Sequence, residues 1–293
     1  MDDIWSRWLT RRRHGGDPEV LRRTREWLAP VRDRVLDGAG IAAGQTVLDI
    51  GCGDGLLGFG ALDRVGDDGM VIFSDVSSAL VDTCREVADE AGVADRCRFV
   101  VDGLPDLAAV PDASVDVALT RSVLIYVDGA AKPAAFAAML RVLRPGGRLS
   151  MFEPINRHGL GEPPHRLFGF DVRGHEAAAA KVRNAFQADG RSGTLLDFDE
   201  RDLLDYAERA GFVGIKLDLI VEREVPVEPT FRNWDAYLAS APNPRAATIG
   251  EVLDRVLDRA ERAALERHVR PQLETGTVRY RSAVAYLRAT RPV

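Results

Sequence analysis

Lysine is nearly missing from this chain: Lys132, Lys181 and Lys216 are the only three in 293 residues. Arginine carries almost all the basic charge, which reads as a bias of the coding sequence and not as chemistry. The formal net charge is −6, so there is no basic excess to suggest a nucleic-acid partner. Cysteine is scarce too. Cys52, Cys84 and Cys97 form no paired pattern, which argues against a disulfide framework and against a zinc site. No run of 18 or more apolar residues is present, so a membrane span is not expected. The first residues, with Ile4, Trp5 and Trp8 among charges, lack a secretory apolar region, and a cytoplasmic protein is the expectation.

What remains is ordinary for a globular enzyme: 46% hydrophobic and 29% charged residues. A chain of this length can bury a substantial core. No internal repeat and no flexible linker divides it, so one domain is expected.

The chain is organised around Thr46-Val-Leu-Asp-Ile-Gly-Cys-Gly-Asp-Gly55. Val47, Leu48 and Ile50 make a short apolar run with Asp49 set into it. Three alternate glycines and the apolar stretch 56–62 follow. This reads as a buried strand, a sharp turn and the start of a helix. The glycines allow the turn and leave room for a ligand where a Cβ would stand. A dinucleotide loop would read G-x-G-x-x-G; here Leu56 occupies the place of its third glycine, which disfavours an NAD site. A glycine turn without any cofactor is the bland alternative.

Asp49, Gly51, Gly53 and Gly55 together resemble the first motif of class I S-adenosylmethionine (SAM)-dependent methyltransferases, D-x-G-x-G-x-G. The resemblance covers residues 44–153. It implies an α/β fold, a doubly wound seven-stranded and mostly parallel Rossmann-like sheet. It also implies SAM as cofactor, held in part by Asp49, Gly51, Cys52, Gly53 and Gly55. Asp75 ends the next apolar run, 70–73, and lies 20 residues past Gly55. A carboxylate at a strand's C-terminal edge can accept bonds from both hydroxyls of a ribose; capping the next helix is its other possible role. Val76 adjoins it. The family places an acid or amide at the end of the third strand, here 98–101, against the adenine, and Asp102 and Gly103 match that place. The fourth strand, 115–119, leads to Arg121, Ser122 and Tyr126, where the family passes its chain beneath the methionine part of SAM. Relatives there carry an acid, Asn or His. Leu143-Arg-Pro-Gly-Gly147 is a turn signal before a fifth strand, 148–152.

Outside this core the chain divides by texture. Residues 1–43 read as a helical arm, with a short helix around Trp5 and Trp8 and a second one capped by Asp17-Pro18. Such an arm is scaffold, or closes over the cofactor as it does in the family, and the two are compatible. Residues 154–198 are rich in turn formers and read as a lid. Residues 199–225 return to the core with a helix and a sixth strand at 213–221. Residues 226–275 read as a helical cap, with a capping box at Thr248 and Glu251, and 276–293 as a final antiparallel edge strand.

These features point to methyl transfer to a small-molecule acceptor at O, N, C or S, of the kind used in specialised metabolism. A SAM-binding protein of the same fold without transfer is the alternative. No metal is expected. Catalytic candidates are Tyr126, Glu153 at the end of the fifth strand, and the loop histidines His14 and His158. Arg11, Arg12 and Arg13 of the arm, Arg157, Arg166 and Arg173 of the lid, and Arg121 would converge on an anionic acceptor if arm and lid meet; otherwise they are solvated or paired locally.

Overall fold

The computed structural model describes residues 3–13, 15–159, 162–189, 194–227 and 232–293. The sheet has seven strands: β1 (Thr46–Ile50), β2 (Met70–Asp75), β3 (Cys97–Val101), β4 (Val115–Arg121), β5 (Leu143–Pro154), β6 (Val213–Pro226) and β7 (Arg279–Thr290), in the order β3-β2-β1-β4-β5-β7-β6. The first five pair in parallel. β7 is antiparallel as expected, but it is not the edge strand the sequence suggested: it enters between β5 and β6, because both neighbours pair with it along most of its length and β6 is left at the edge.

The helices cover both faces because the strands are apolar on both. In β1 every residue from Val47 to Ile50 is buried, the mark of a strand inside a parallel sheet. Leu48 and Ile50 face a cluster that holds Phe136 of α5 (Lys132–Val142) and Leu203 of α7 (Glu200–Ala210). Val47 points the other way, to Val35 of α2 (Pro18–Ala39), Leu57 of α3 (Leu56–Val65) and Cys84 of α4 (Ser78–Glu90). The period of two along the strand sorts the residues between the faces. A third cluster lies apart. It joins a small hairpin (Arg166–Leu167 with Phe170–Asp171) to α6 (Glu176–Asp189), α8 (Trp234–Ala239), α9 (Ile249–Val256) and α10 (Arg259–Glu274).

Caps fall where the side chains ask for them. Asp17 accepts from the Glu19 and Val20 amides and Pro18 opens α2; Gly40, at φ 56°, closes it. Pro30 sits inside α2 without dividing it. Asp199 and Asp202 make a reciprocal box at the start of α7, and Thr248 and Glu251 do so at α9.

Three boundaries differ from the sequence reading. β5 begins at Leu143, because Leu143 pairs with Val115 and the Gly146 amide donates to the Arg291 carbonyl; the Pro-Gly-Gly turn is absorbed into the strand as an irregularity. β6 runs on to Pro226, paired with β7 along its length apart from irregularities between Val213 and Lys216 and between Glu222 and Val225. It is an edge strand in which Ile215 and Leu217 pack on one core cluster and Ile220 on the other while most other residues are exposed, so burial marks no clear end to it. Within 154–198, α6 was hidden by reading turn formers alone; its Ala-rich stretch 177–180 is a strong helix former.

One buried charge fastens the second face. Lys132 is fully buried; its Nζ lies 2.6 Å from the Val127 carbonyl and 2.7 Å from Asp197 Oδ1, over the ring of Phe198. Lys132 is the buried partner and Asp197 a partly exposed one, so the lysine charge depends on its partners to stay in place. Lys132→Ala is expected to destabilise the fold by about 3 kcal/mol. The double variant with Asp197→Ala should cost less than the sum of the two single changes by about 1 kcal/mol or more. Urea denaturation measures the cycle, and strict additivity would show that the pair is not coupled.

Candidate functional site

The order of the parallel strands reverses between β1 and β4, and the crevice outside their C-terminal ends is where an open α/β sheet offers a ligand site. β1 and β2 each carry a carboxylate at or next to this end that holds a neighbouring loop or helix start. Asp49 Oδ2 accepts from the Gly58 amide at 2.8 Å, inside the first turn of α3. Burial raises this carboxyl to about 7. Asp75 Oδ2 accepts from the Gly53 amide at 3.0 Å and Oδ1 from the Ser77 amide at 2.9 Å. Asp75 therefore helps to order the next helix start and the glycine loop together, while Ser77 Oγ caps the Leu80 amide. Burial raises Asp75 as well. Each oxygen accepts one of these N–H bonds and keeps further lone-pair capacity for a ligand hydroxyl.

The glycines do different work. Gly51 has φ 66°, and a Cβ there would stand 2.4 Å from Val123 of the β4 loop, so the residue lets two loops meet. Gly53, at φ 55°, faces open space with only Leu9 of the arm within 3.3 Å of an added Cβ. It is the position where the backbone is bare toward a ligand.

At the end of β4, Ser122 adopts φ 55° and its amide donates to the Phe152 carbonyl at 2.9 Å. A non-glycine residue in this region is a local strain of the kind found at ligand sites. Tyr126 follows on a short 3₁₀ turn. Burial pushes its phenol to about 12, so at neutral pH it can donate a hydrogen bond but not take a proton.

The arm forms the roof. Asp3 caps α1 (Ile4–Arg7), which runs into a π-helical turn at Trp8–Arg12. Trp5 and Trp8 meet the Tyr126 ring edge-on at 5.0 and 6.0 Å. Trp8 Nε1 donates to the Ala241 carbonyl at 2.9 Å, and the Arg12 carbonyl accepts from the Ala241 amide at 2.7 Å, which ties the roof to the segment between α8 and α9. Beneath it lies a cavity of about 430 Å³, within the usual range for a small-molecule site.

Of the cofactor candidates, Asp49, Gly51, Cys52, Gly53, Asp75, Val76, Gly103, Arg121 and Ser122 line this one cavity. Two do not. Gly55 caps α3 instead; a Cβ there would strike the Phe59 ring. The Asp102 carboxylate turns into its own loop, accepting from the Gly103 amide at 2.8 Å and the Ala109 amide at 2.7 Å.

The catalytic candidates separate as well. Tyr126 lines the cavity. Glu153 does not: it is fully buried, and its Oε1 accepts from the Val123 and Leu124 amides, both at 2.9 Å. It positions the β4 loop, and burial raises it to about 7. His158 lies on the lid side at 3.3 Å from Glu200 of α7, away from the cavity. His14 lies outside the described residues.

The lid arginines do not converge. Arg157 bonds the Leu196 carbonyl and Asp199, Arg166 the Gly169 carbonyl, Arg173 its neighbour Asp171, and Arg12 of the arm reaches Glu251 and the Ala246 carbonyl. Only Arg13 and Arg121 of the seven arginines face the cavity. The sequence reading missed the apolar lining from Leu80, Leu104, Pro105 and Val127, and the rim residue Asp128. The position of Leu104, Pro105 and Val127 just past strand ends was the available signal.

The buried Glu153 carboxyl gives a pH prediction. Its folded-state value, about 7, stands above its ordinary 4.5. The protonated form is therefore favoured by folding. That contribution is complete below about pH 4.5 and lost as pH rises through about 7. Wild type is expected to lose stability between pH 5 and 8, and Glu153→Gln to remove on the order of 1 kcal/mol of that loss. Urea denaturation at both pH values measures it. Identical slopes would mean that Glu153 stays in one protonation state across the range.

Comparison with known proteins agrees with this geometry. Residues 47–147 match the family described as a methyltransferase domain. Aklanonic acid methyltransferase of Streptomyces sp. (strain C5) is 30% identical over 134 residues, covering 46% of this chain and 59% of that protein. Nocamycin O-methyltransferase of Saccharothrix syringae is 33% identical over 138 residues, covering 47% of this chain and 48% of that one. The chain thus spans about half the length of the curated relatives it matches. Geranyl diphosphate C-methyltransferase from Streptomyces coelicolor A3(2), solved with Mg2+, geranyl-S-thiolodiphosphate and S-adenosylhomocysteine, shares the fold. Its TM-score is 0.53 at 18% identity, over 94% of this chain and 83% of that one. Residues 47–147 thus carry the match to a methyltransferase domain, on the strand order and glycine loop described above.

Proposed function

We propose that the chain binds SAM across the C-terminal ends of β1, β2 and β4 and transfers its methyl group to a small-molecule acceptor held beneath the arm. The carrying observation is the cavity itself. One end offers the Asp75 carboxylate and the bare Gly53 backbone; the other is roofed by Trp5, Trp8 and Tyr126. An enclosed pocket suits a small acceptor better than a macromolecule, and the two curated relatives are named for small molecules.

In this reading Asp75 accepts the ribose hydroxyls, Val76, Gly103 and Leu104 flank the adenine, and Gly51, Arg121 and Ser122 border the methionine part. When bound, SAM supplies an electrophilic methyl group on a sulfonium. The protein must then align the acceptor and keep water out. The aromatic roof does both, since its rings leave little room for water and fix the plane of what lies below. Neither Glu153 nor His158 reaches the cavity, so neither serves as a base here. The Tyr126 phenol stays protonated and orients the acceptor by donating. The proposal includes a cytoplasmic enzyme without a nucleic-acid partner, in keeping with the net charge of −6; among the described residues, no helix is long and apolar enough to cross a membrane.

Asp75→Ala is expected to weaken SAM binding by about 2 kcal/mol, from the loss of a charged acceptor. Gly53→Val should abolish binding, because the side chain fills the bare face and strains a left-handed backbone. Calorimetry with SAM reads both, and near wild-type affinity in the two variants would refute the cofactor site. Production of S-adenosylhomocysteine with candidate acceptors separates transfer from binding alone.

The roof is also expected to respond. Saturating S-adenosylhomocysteine should slow amide exchange in 4–12, since the ligand lies against the underside of that helix. Unchanged exchange there would make the arm scaffold only.

A further inference from the structure

Two guanidiniums, Arg13 from the arm and Arg121 from the end of β4, line the same cavity. Among the described residues no carboxylate lies within ion-pair distance of either. Asp49, Asp54, Asp75 and Asp128 line the cavity too, but each is engaged elsewhere, Asp75 by the Gly53 and Ser77 amides. Asp54 pairs with Arg25 at 2.8 Å. Asp49 holds the Gly58 amide, with burial raising it to about 7. Glu153 holds the β4 loop. Asp128, at the rim, accepts from the Ala130 amide.

Burial lowers the Arg13 guanidinium to about 10, and the charge of Arg121 adds to the shift. Like charges kept close in a partly dewatered space cost free energy unless an anion joins them. Both are held by rigid parts. Arg13 stacks over the Trp8 ring at 5.2 Å. Arg121 is paired in the sheet with Phe152.

We propose that Arg13 and Arg121 form a clamp for one carboxylate inside the cavity. Planar guanidinium forks match the two oxygens of that group, which a point-charge ammonium would not. The carboxylate has two available sources: the amino-acid tail of the cofactor, or an acid group on the acceptor. The choice of source rests on the cofactor reading above; the clamp does not. The acceptor source would make the substrate an anionic small molecule, bound through two arginines and not through the set of seven that the sequence suggested.

The test is calorimetry on the full chain as wild type, Arg13→Gln and Arg121→Gln. Arg157→Gln, outside the cavity, serves as a control, and thermal melting confirms that each variant folds. Arg121→Lys serves as a second variant that keeps the charge but loses the fork. The probes are S-adenosylhomocysteine, its decarboxylated counterpart (the 3-aminopropyl thioether), and benzoate added both to the free protein and to the S-adenosylhomocysteine complex. If the cofactor supplies the carboxylate, wild type and the control lose about tenfold affinity on decarboxylation, and the two Gln variants lose less than about threefold. If the acceptor supplies it, decarboxylation weakens all proteins alike. Benzoate then saturates the wild-type complex and not the Gln variants, with Arg121→Lys in between. If S-adenosylhomocysteine fails to bind any of the proteins while benzoate still depends on both arginines, the clamp stands and the cofactor reading falls. Decarboxylation and benzoate both indifferent to Arg13 and Arg121 would overturn the clamp.

Discussion

Three carboxylates hold the carboxyl edge of the sheet together. Asp49, next to last in β1, takes an amide of α3, Asp75 ends β2 and takes amides of two loops, and Glu153, near the end of β5, takes two amides of the β4 turn. Each ties a loop to a strand. The cavity lies among those loops, so its shape depends on these few bonds together with the aromatic roof. Further backbone links reinforce them: the Cys52 amide donates to the Ser74 carbonyl, and the Asp102 amide to the Asp75 carbonyl.

The arrangement has an electrostatic consequence. Placing carboxylates where water is excluded raises them, Asp49 and Glu153 to about 7. Much of the negative charge that the sequence puts around the crevice is therefore weakened or turned toward backbone amides. Arg13 and Arg121 are left facing the cavity without a carboxylate partner among the described residues. Two guanidiniums without an ion-pair partner in a half-enclosed space are the physical basis for expecting an anion between them.

The arm links the two halves of the structure. Trp8 touches Tyr126 of the core with one edge and donates to Ala241, between α8 and α9, with its indole nitrogen. A ligand that packs under Trp5 and Trp8 therefore touches at once the β4 loop and an element anchored to the outer helices. Apolar rings with single polar handles suit such a position, since the polar tip fixes the ring while the face stays available.

The sequence by itself determined the sheet and its glycine loop. Apolar runs of the right length, an acid inside the first, glycines spaced two apart and caps such as Asp17 and Thr248 are local signals, and local physics suffices to read them. It also picked out most of one wall of the cavity, from Asp49 to Ser122. What it could not determine was which way each polar side chain turns. Asp102, Gly55, Glu153 and His158 have the residue types a site uses, yet the first three serve loops or a helix start, and His158 meets Glu200. Whether an acid at a strand end faces a ligand or a neighbouring amide depends on where the next loop returns, as Ala109 returns to Asp102. The same holds for the arginines. Seven were visible as charge, but Arg157, Arg166 and Arg173 find partners within the lid and its surroundings, while Arg13 is brought to Arg121 across more than a hundred residues of chain by the docking of the arm on Tyr126. That juxtaposition exists only in the tertiary structure, because it is set by packing between elements that share no local signal.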